Sequence, residues 1–300
     1  MVIGKLRWEN NHLFSAPGES LSMAALRVGR KSLAKGYADR TGALLKMVED
    51  LPDRPSPDEV HDLRVAARRI QVMRGLMPRG VRKSQESRTF NFALKSVLKA
   101  TSQLRDIDTL MVTLKSCKGV SSGLLLNLEN QRSDSAARAR DTIGALADIQ
   151  VPELDVTTLR GKRLSRRFKK GVREHSRKAW SLLIQVLNDE SRVVELHSLR
   201  KEVKKLRYLL ELADKVPERL SSLAKWQESL GAIHDLDVAI AYLKTLDAGS
   251  GRGAILDLQS ARHSNYMALV RAYRADRMQA LGEGGAPSVG ALKQASLGPA

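Results

Sequence analysis

Val60-His61-Asp62-Leu63-Arg64-Val65-Ala66-Ala67-Arg68-Arg69-Ile70 and Leu196-His197-Ser198-Leu199-Arg200-Lys201-Glu202-Val203-Lys204-Lys205-Leu206 are two copies of one pattern. It reads apolar, His, any, Leu, Arg, any, any, apolar, base, base, apolar. At about 100° per residue, His61, Arg64 and Arg68 share one stripe, while Leu63, Ala67, Ile70 and Met77 lie roughly opposite. The second copy has the same wheel. His197, Arg200, Lys201 and Lys204 face one way, and Leu199, Val203, Leu206 and Leu210 the other. Both stretches are predicted to be helices with an apolar back and a cationic front.

The likeness extends on either side. In the same register, without a gap, Arg27, Arg30 and Lys31 fall over Arg163, Arg166 and Arg167. Lys170 continues the second of these stripes, and Ala34 stands at its place in the first. In a slightly shifted register, Leu104-Arg105-Asp106-Ile107-Asp108 matches Ile233-His234-Asp235-Leu236-Asp237. Three matches in the same order make an internal duplication the best explanation. It predicts an all-α chain of two four-helix bundles related by a pseudo-two-fold axis, about 18–150 and 155–281. The helices are expected at about 20–50, 57–77, 83–115 (with room for a bend), 124–149, 157–188, 193–213, 217–246 and 256–281. Residues 1–17 read as irregular and 282–300 as a disordered tail. Ser56-Pro57-Asp58-Glu59 carries the signature of a capping box with Pro at the first helical position.

Charge narrows the function classes. Lys and Arg number 51 against 33 Asp and Glu among 300 residues, a net charge of +18. A surplus of that size implies a polyanionic partner, such as nucleic acid, anionic lipid or polyphosphate. The stripes are almost purely cationic, whereas solvated helix faces usually mix signs to gain i,i+4 pairs. Like charges at i,i+3 and i,i+4 cost a few tenths of a kcal/mol each, a cost that a bound anion offsets. The single cysteine, Cys117, excludes a disulfide framework and has no His/Asp partner motif. Aromatic residues make up 4% of the chain, which weighs against base stacking as a binding mode. No apolar run approaches the length of a membrane span. Glu9, Asn10 and Asn11 stand where a secretory signal would be apolar. A cytoplasmic protein is expected.

At these residues the chain resembles the CHAD domain, the conserved histidine α-helical domain, over about residues 18–281. The motifs are His61 to Arg69, His197 to Tyr208, Arg105 to Asp108, and Leu230 to Asp237. The resemblance implies two four-helix bundles with a basic groove or pore between them. It also implies binding of inorganic polyphosphate without catalysis, and recruitment to polyphosphate granules. The residues then expected to bind are Arg27, Arg30, Lys31, His61, Arg64, Arg68, Arg69, Arg105, Arg163, Arg166, Arg167, Lys170, His197, Arg200, Lys201, Lys204, Lys205, Arg207 and His234. Half one departs from the pattern: Thr101-Ser102 stands for Leu230-Gly231, and Gln71-Val72 for Arg207-Tyr208. Half one is therefore expected to make fewer contacts there.

His61 and His197 have two readings, phosphate contact or a structural bond to a neighbouring helix. Neither has a second His or Cys at i+3 or i+4 to suggest a metal site. Asp106, Asp108, Asp235 and Asp237 could hold Mg²⁺ between phosphates, but i and i+2 do not share a helix face. Pairing with and orienting basic side chains is the simpler role. His12, His175 and His263 read as surface residues. No cofactor is expected, since the chain has neither a Walker loop nor a dinucleotide fingerprint. Other functions remain open: a nucleic-acid binder, supported by charge alone; a phosphohydrolase, which would lack a clustered acidic metal site; and a phasin-like coat on storage granules.

Overall fold

The computed structural model describes residues 26–117, 119–213, 217–246 and 252–283. The expectations for 1–17 and for the tail beyond Glu283 lie outside these residues. The described residues form helices without strands. In half one these are α1 (Arg30–Glu49), α2 (Pro57–Leu76), the short α3 (Arg79–Lys83), α4 (Gln85–Ala100), α5 (Ser102–Lys115) and α6 (Ser122–Gly144). Half two has α7 (Gly161–Val186), α8 (Val193–Leu210), α9 (Pro217–Leu243) and α10 (Arg252–Glu283), preceded by a 3₁₀ turn at Val156–Thr158.

The capping box at α2 forms as expected. Ser56 N donates to Glu59 Oε2 at 2.6 Å, and Glu59 N donates to Ser56 Oγ at 3.2 Å. This satisfies two backbone donors at the helix start and fixes where the His61 to Arg69 stripe begins. Several boundaries differ from expectation, two of them by the most. The first helix starts at Arg30, after an extended approach, rather than near Ser20. The stretch 83–115 is two helices that meet at Thr101.

The break at Thr101 has a side-chain cause. Thr101 Oγ1 donates back to Val97 O at 2.7 Å, and Arg64 Nη1 donates to both Leu98 O and Thr101 Oγ1 at 2.7 Å. The Leu98 carbonyl is thus served by a guanidinium from α2 instead of by the amide four residues on, which lets the chain turn. At the matching place in half two, Leu230 offers no hydroxyl, and α9 runs through unbroken.

The apolar core is continuous across the halves. Its main cluster takes Leu33 and Leu44 from α1, Leu63, Ile70 and Met73 from α2, and Phe90 and Leu94 from α4. Phe168 and Leu183 of α7 join it, with Leu199, Val203 and Leu206 of α8 and Trp226 of α9. Phe90 and Phe168 are almost fully buried, and truncating either to Ala would cost about 3–5 kcal/mol. A second cluster joins α5, α6, α9 and α10. Across the halves α2 packs on α8 and α5 on α9. These are the helices the sequence repeat matches with each other.

One ion-pair arrangement also recurs. Arg132 of α6 donates to Asp108 Oδ1 at 2.5 Å and to Pro55 O at 2.6 Å. Arg262 of α10 donates to Asp237 Oδ1 at 2.6 Å and to Glu190 O at 2.9 Å. Each arginine ties an α5 or α9 carboxylate to the segment entering α2 or α8. Asp108 is 1% exposed, so removing its partner would strand a buried charge at a cost of about 3–5 kcal/mol. These pairs hold the four central helices in place around the site.

Candidate polyanion-binding cavity

A cavity of about 420 Å³ lies between α2, α5, α8 and α9. From α2 it takes His61, Arg64, Val65 and Arg68, and from α5 Arg105, Asp106 and Thr109. The second half supplies Arg200 and Lys204 of α8 and, on α9, Gln227, Glu228, Gly231, Ala232, His234, Asp235 and Val238. Five Arg and Lys residues face three carboxylates, with two histidines beside them. The i, i+3, i+7 spacing on α2 and the i, i+4 pair on α8 bring cations from both halves to one space, because the apolar backs of these helices are fixed in the core.

Crowding and burial alter these groups. Burial, reinforced by the charges of Arg200 and Arg68, pushes the Lys204 ammonium down to about 7. Burial and then Arg68 lower Arg64 to about 10, and burial lowers Arg200 despite the nearby Asp235. Burial also raises the carboxyls of Asp106 and Asp235 above the usual carboxylate range, against the pull of the surrounding cations. Both effects come from charge held out of water. The Arg200 Nε is buried and has no hydrogen-bond partner among the described residues.

The histidines divide into two settings. His61 stands exposed at the mouth, its pKa lowered by partial desolvation and then by the Arg105 charge. His197 and His234 meet Nδ1 to Nδ1 at 3.1 Å, with ring centroids 4.4 Å apart. Burial, Arg200 and His197 push His234 down to about 4, and burial followed by Lys201 lowers His197. At neutral pH one ring therefore donates to the other as a neutral pair.

Other residues expected from the sequence lie elsewhere. Arg69 donates to Glu211 at 2.8 and 3.2 Å and lies over the Tyr208 ring at 5.8 Å. Arg207 reaches the same carboxylate at 3.3 Å and donates to Gln227 at 3.2 Å. Lys205 donates to Glu202 at 2.7 Å. Arg167 donates to Leu76 O. Arg27, Arg30, Lys31, Arg163, Arg166 and Lys170 are exposed and line no part of the cavity, although Arg30 donates to Leu159 O at 3.3 Å. The α1 and α7 stripes are thus not brought to the centre.

The carboxylates follow the i, i+2 rule. Asp106 and Asp235 face the cavity, while Asp108 and Asp237 point away to Arg132 and Arg262. Sequence reasoning missed these two arginines. The signal was present, since they stand 24 and 25 residues beyond their partners, in the last helix of each half. His175 is a correction: it is half-buried and bonded to Glu202 at 2.7 Å, not a plain surface residue. His263 is exposed and bonded to Glu190 at 2.6 Å. His12 lies outside the described residues. Among those residues, no group of three or more His, Cys, Asp and Glu could hold a metal ion, and no helix is long and apolar enough to cross a membrane.

Comparison with known proteins adds a family. The CHAD domain family matches residues 37–244. The crystal structure of the CHAD domain from the plant Ricinus communis is similar over 87% of this chain and 96% of its own, at 19% identity and a TM-score of 0.48. No curated protein sequence matches the chain.

Proposed function

The chain belongs to the CHAD domain family, and we propose that its central cavity binds inorganic polyphosphate. The supporting observation is the convergence of Arg64, Arg68, Arg105, Arg200 and Lys204, from three helices of both halves, on one space. A linear polyphosphate presents closely spaced charged oxygens along a thin, flexible chain. Guanidinium groups match such oxygens with paired donors, and Lys204 adds a point charge. The cost of holding cations together out of water is offset when the anion enters, and the unpartnered Arg200 Nε gains an acceptor. A duplex, whose major groove alone is about 12 Å wide, cannot enter a cavity of this volume. Asp106 and Asp235 orient the neighbouring arginines.

Binding without turnover completes the proposal, with recruitment of the protein to polyphosphate granules as its consequence. In a competition assay, unlabelled long polyphosphate displaces a labelled chain at far lower phosphate concentration than duplex DNA does. Equal or better displacement by DNA would overturn the assignment in favour of a nucleic-acid binder. Prolonged incubation with Mg²⁺ leaves polyphosphate length unchanged. Shortening would instead establish a processing enzyme.

A further inference from the structure

A second cavity, of about 460 Å³, opens between α2, α7 and α8. Its wall shares the cationic character of the first, with Arg167, Lys201 and Lys205 among its lining, but adds more apolar surface. Val72, Leu76, Tyr208 and Leu209 supply apolar surface, and Gln71 and His175 add polar edges. Gly171 keeps α7 close to α8, because a Cβ there would lie 2.9 Å from Leu209 Cδ2. Gly75 is open instead, with nothing within 4 Å of where its Cβ would stand. Arg68 and Lys204 line both cavities.

Phosphate alone makes no use of the apolar part of this wall, an annex that two shared cations, Arg68 and Lys204, join to the central cavity. We propose that the annex receives the nucleobase and sugar of a nucleoside triphosphate, whose phosphates pass Arg68 and Lys204 into the central cavity. This rests on the polyphosphate reading of that cavity and adds an organic ligand class to it. A planar base suits aliphatic side chains beside a tyrosine ring, and its polar edge suits the amide of Gln71. A hydrocarbon chain would instead leave Gln71 and Arg167 facing methylene groups. The His175 ring, held by Glu202 at 2.7 Å, is oriented before any ligand arrives.

The test compares ATP with inorganic triphosphate by isothermal titration calorimetry of the full chain in metal-free buffer. Inorganic triphosphate carries at least as much charge, so electrostatics alone gives ATP no advantage. The proposal predicts that ATP binds at least about tenfold tighter. Gly75→Leu, a substitution that favours the helix and projects into the annex, removes that advantage and leaves inorganic triphosphate binding unchanged. The second result also shows that the variant is folded. Equal affinities in the unmodified protein would overturn the inference and leave the polyphosphate reading intact. An ATP advantage that survives Gly75→Leu would also overturn it, by placing the base elsewhere. Failure of both ligands to bind would sink the polyphosphate reading and this inference together.

Discussion

Arg64 and Arg200 hold matching places in the two copies of the repeat, but their surroundings differ. Arg64 is 8% exposed, and its Nη1 already serves Leu98 O and Thr101 Oγ1 at the α4–α5 junction. Arg200 faces an unbroken α9, with Gly231 beside it, and its Nε lacks a partner. The half-one arginine thus braces the α4–α5 junction as well as lining the cavity, while the half-two arginine lines it with an unpartnered Nε. The histidines diverge in the same way. His61 stands alone at the mouth beside Arg105, whereas His197 is bonded to His234. Equal sequence places thus have unequal roles, and a substitution should separate binding from stability according to the half it falls in.

The largest effect is expected on the side of half two. Arg200→Glu removes a cation and adds an anion at the cavity wall, and it should weaken polyphosphate binding about 100-fold with helical content intact. Titration of a labelled chain together with circular dichroism checks both parts. Arg64→Ala should show the reverse balance. It leaves the Leu98 carbonyl without its donor and costs about 2 kcal/mol in denaturant unfolding, against a smaller loss for Arg200→Ala, because the Arg200 Nε leaves no bonded partner behind. Equal stability losses in the two variants would erase the distinction between the halves.

A smaller effect comes from pH. The Lys204 ammonium is lowered to about 7 from an ordinary 10.5. Its charged form is therefore disfavoured in the empty fold, and the unfolded chain binds more protons between these values. Stability of the ligand-free protein should rise as pH rises from about 7 towards 10.5. Anion binding pulls the other way, because a bound phosphate favours the ammonium. Affinity should therefore fall as pH rises above 7, by up to about tenfold, with proton uptake on binding. Lys204→Met should flatten both profiles, and pH titrations of the two proteins measure this. The smallest effect is expected from Arg163→Ser with Arg166→Ser, which should change affinity less than about threefold, since both side chains are exposed away from the cavity.

Much of this arrangement is legible in the sequence because helical periodicity is local. The apolar backs of α2 and α8 sit in the core, so His61, Arg64, Arg68, Arg200 and Lys204 all face the other way, towards the shared cavity. The i, i+2 spacing likewise separates Asp106 from Asp108. The α1 and α7 stripes were not resolved by the same logic. Arg163 and Arg166 have the right spacing, but which neighbour a face meets depends on long-range packing. The break at Thr101 was hidden because a threonine within a helix is ordinary, and only the guanidinium arriving from α2 turns it into a junction. Arg132 and Arg262 were missed because each acts on a carboxylate one helix earlier.

The most direct test is a crystal structure of the chain with a short linear polyphosphate bound. Ordered phosphates lying against Arg68, Arg105, Arg200 and Lys204 between α2, α5, α8 and α9 are the expected result. Phosphates arrayed along the exposed Arg27, Arg30, Arg163 and Arg166 stripes, with that space holding none, would contradict the account.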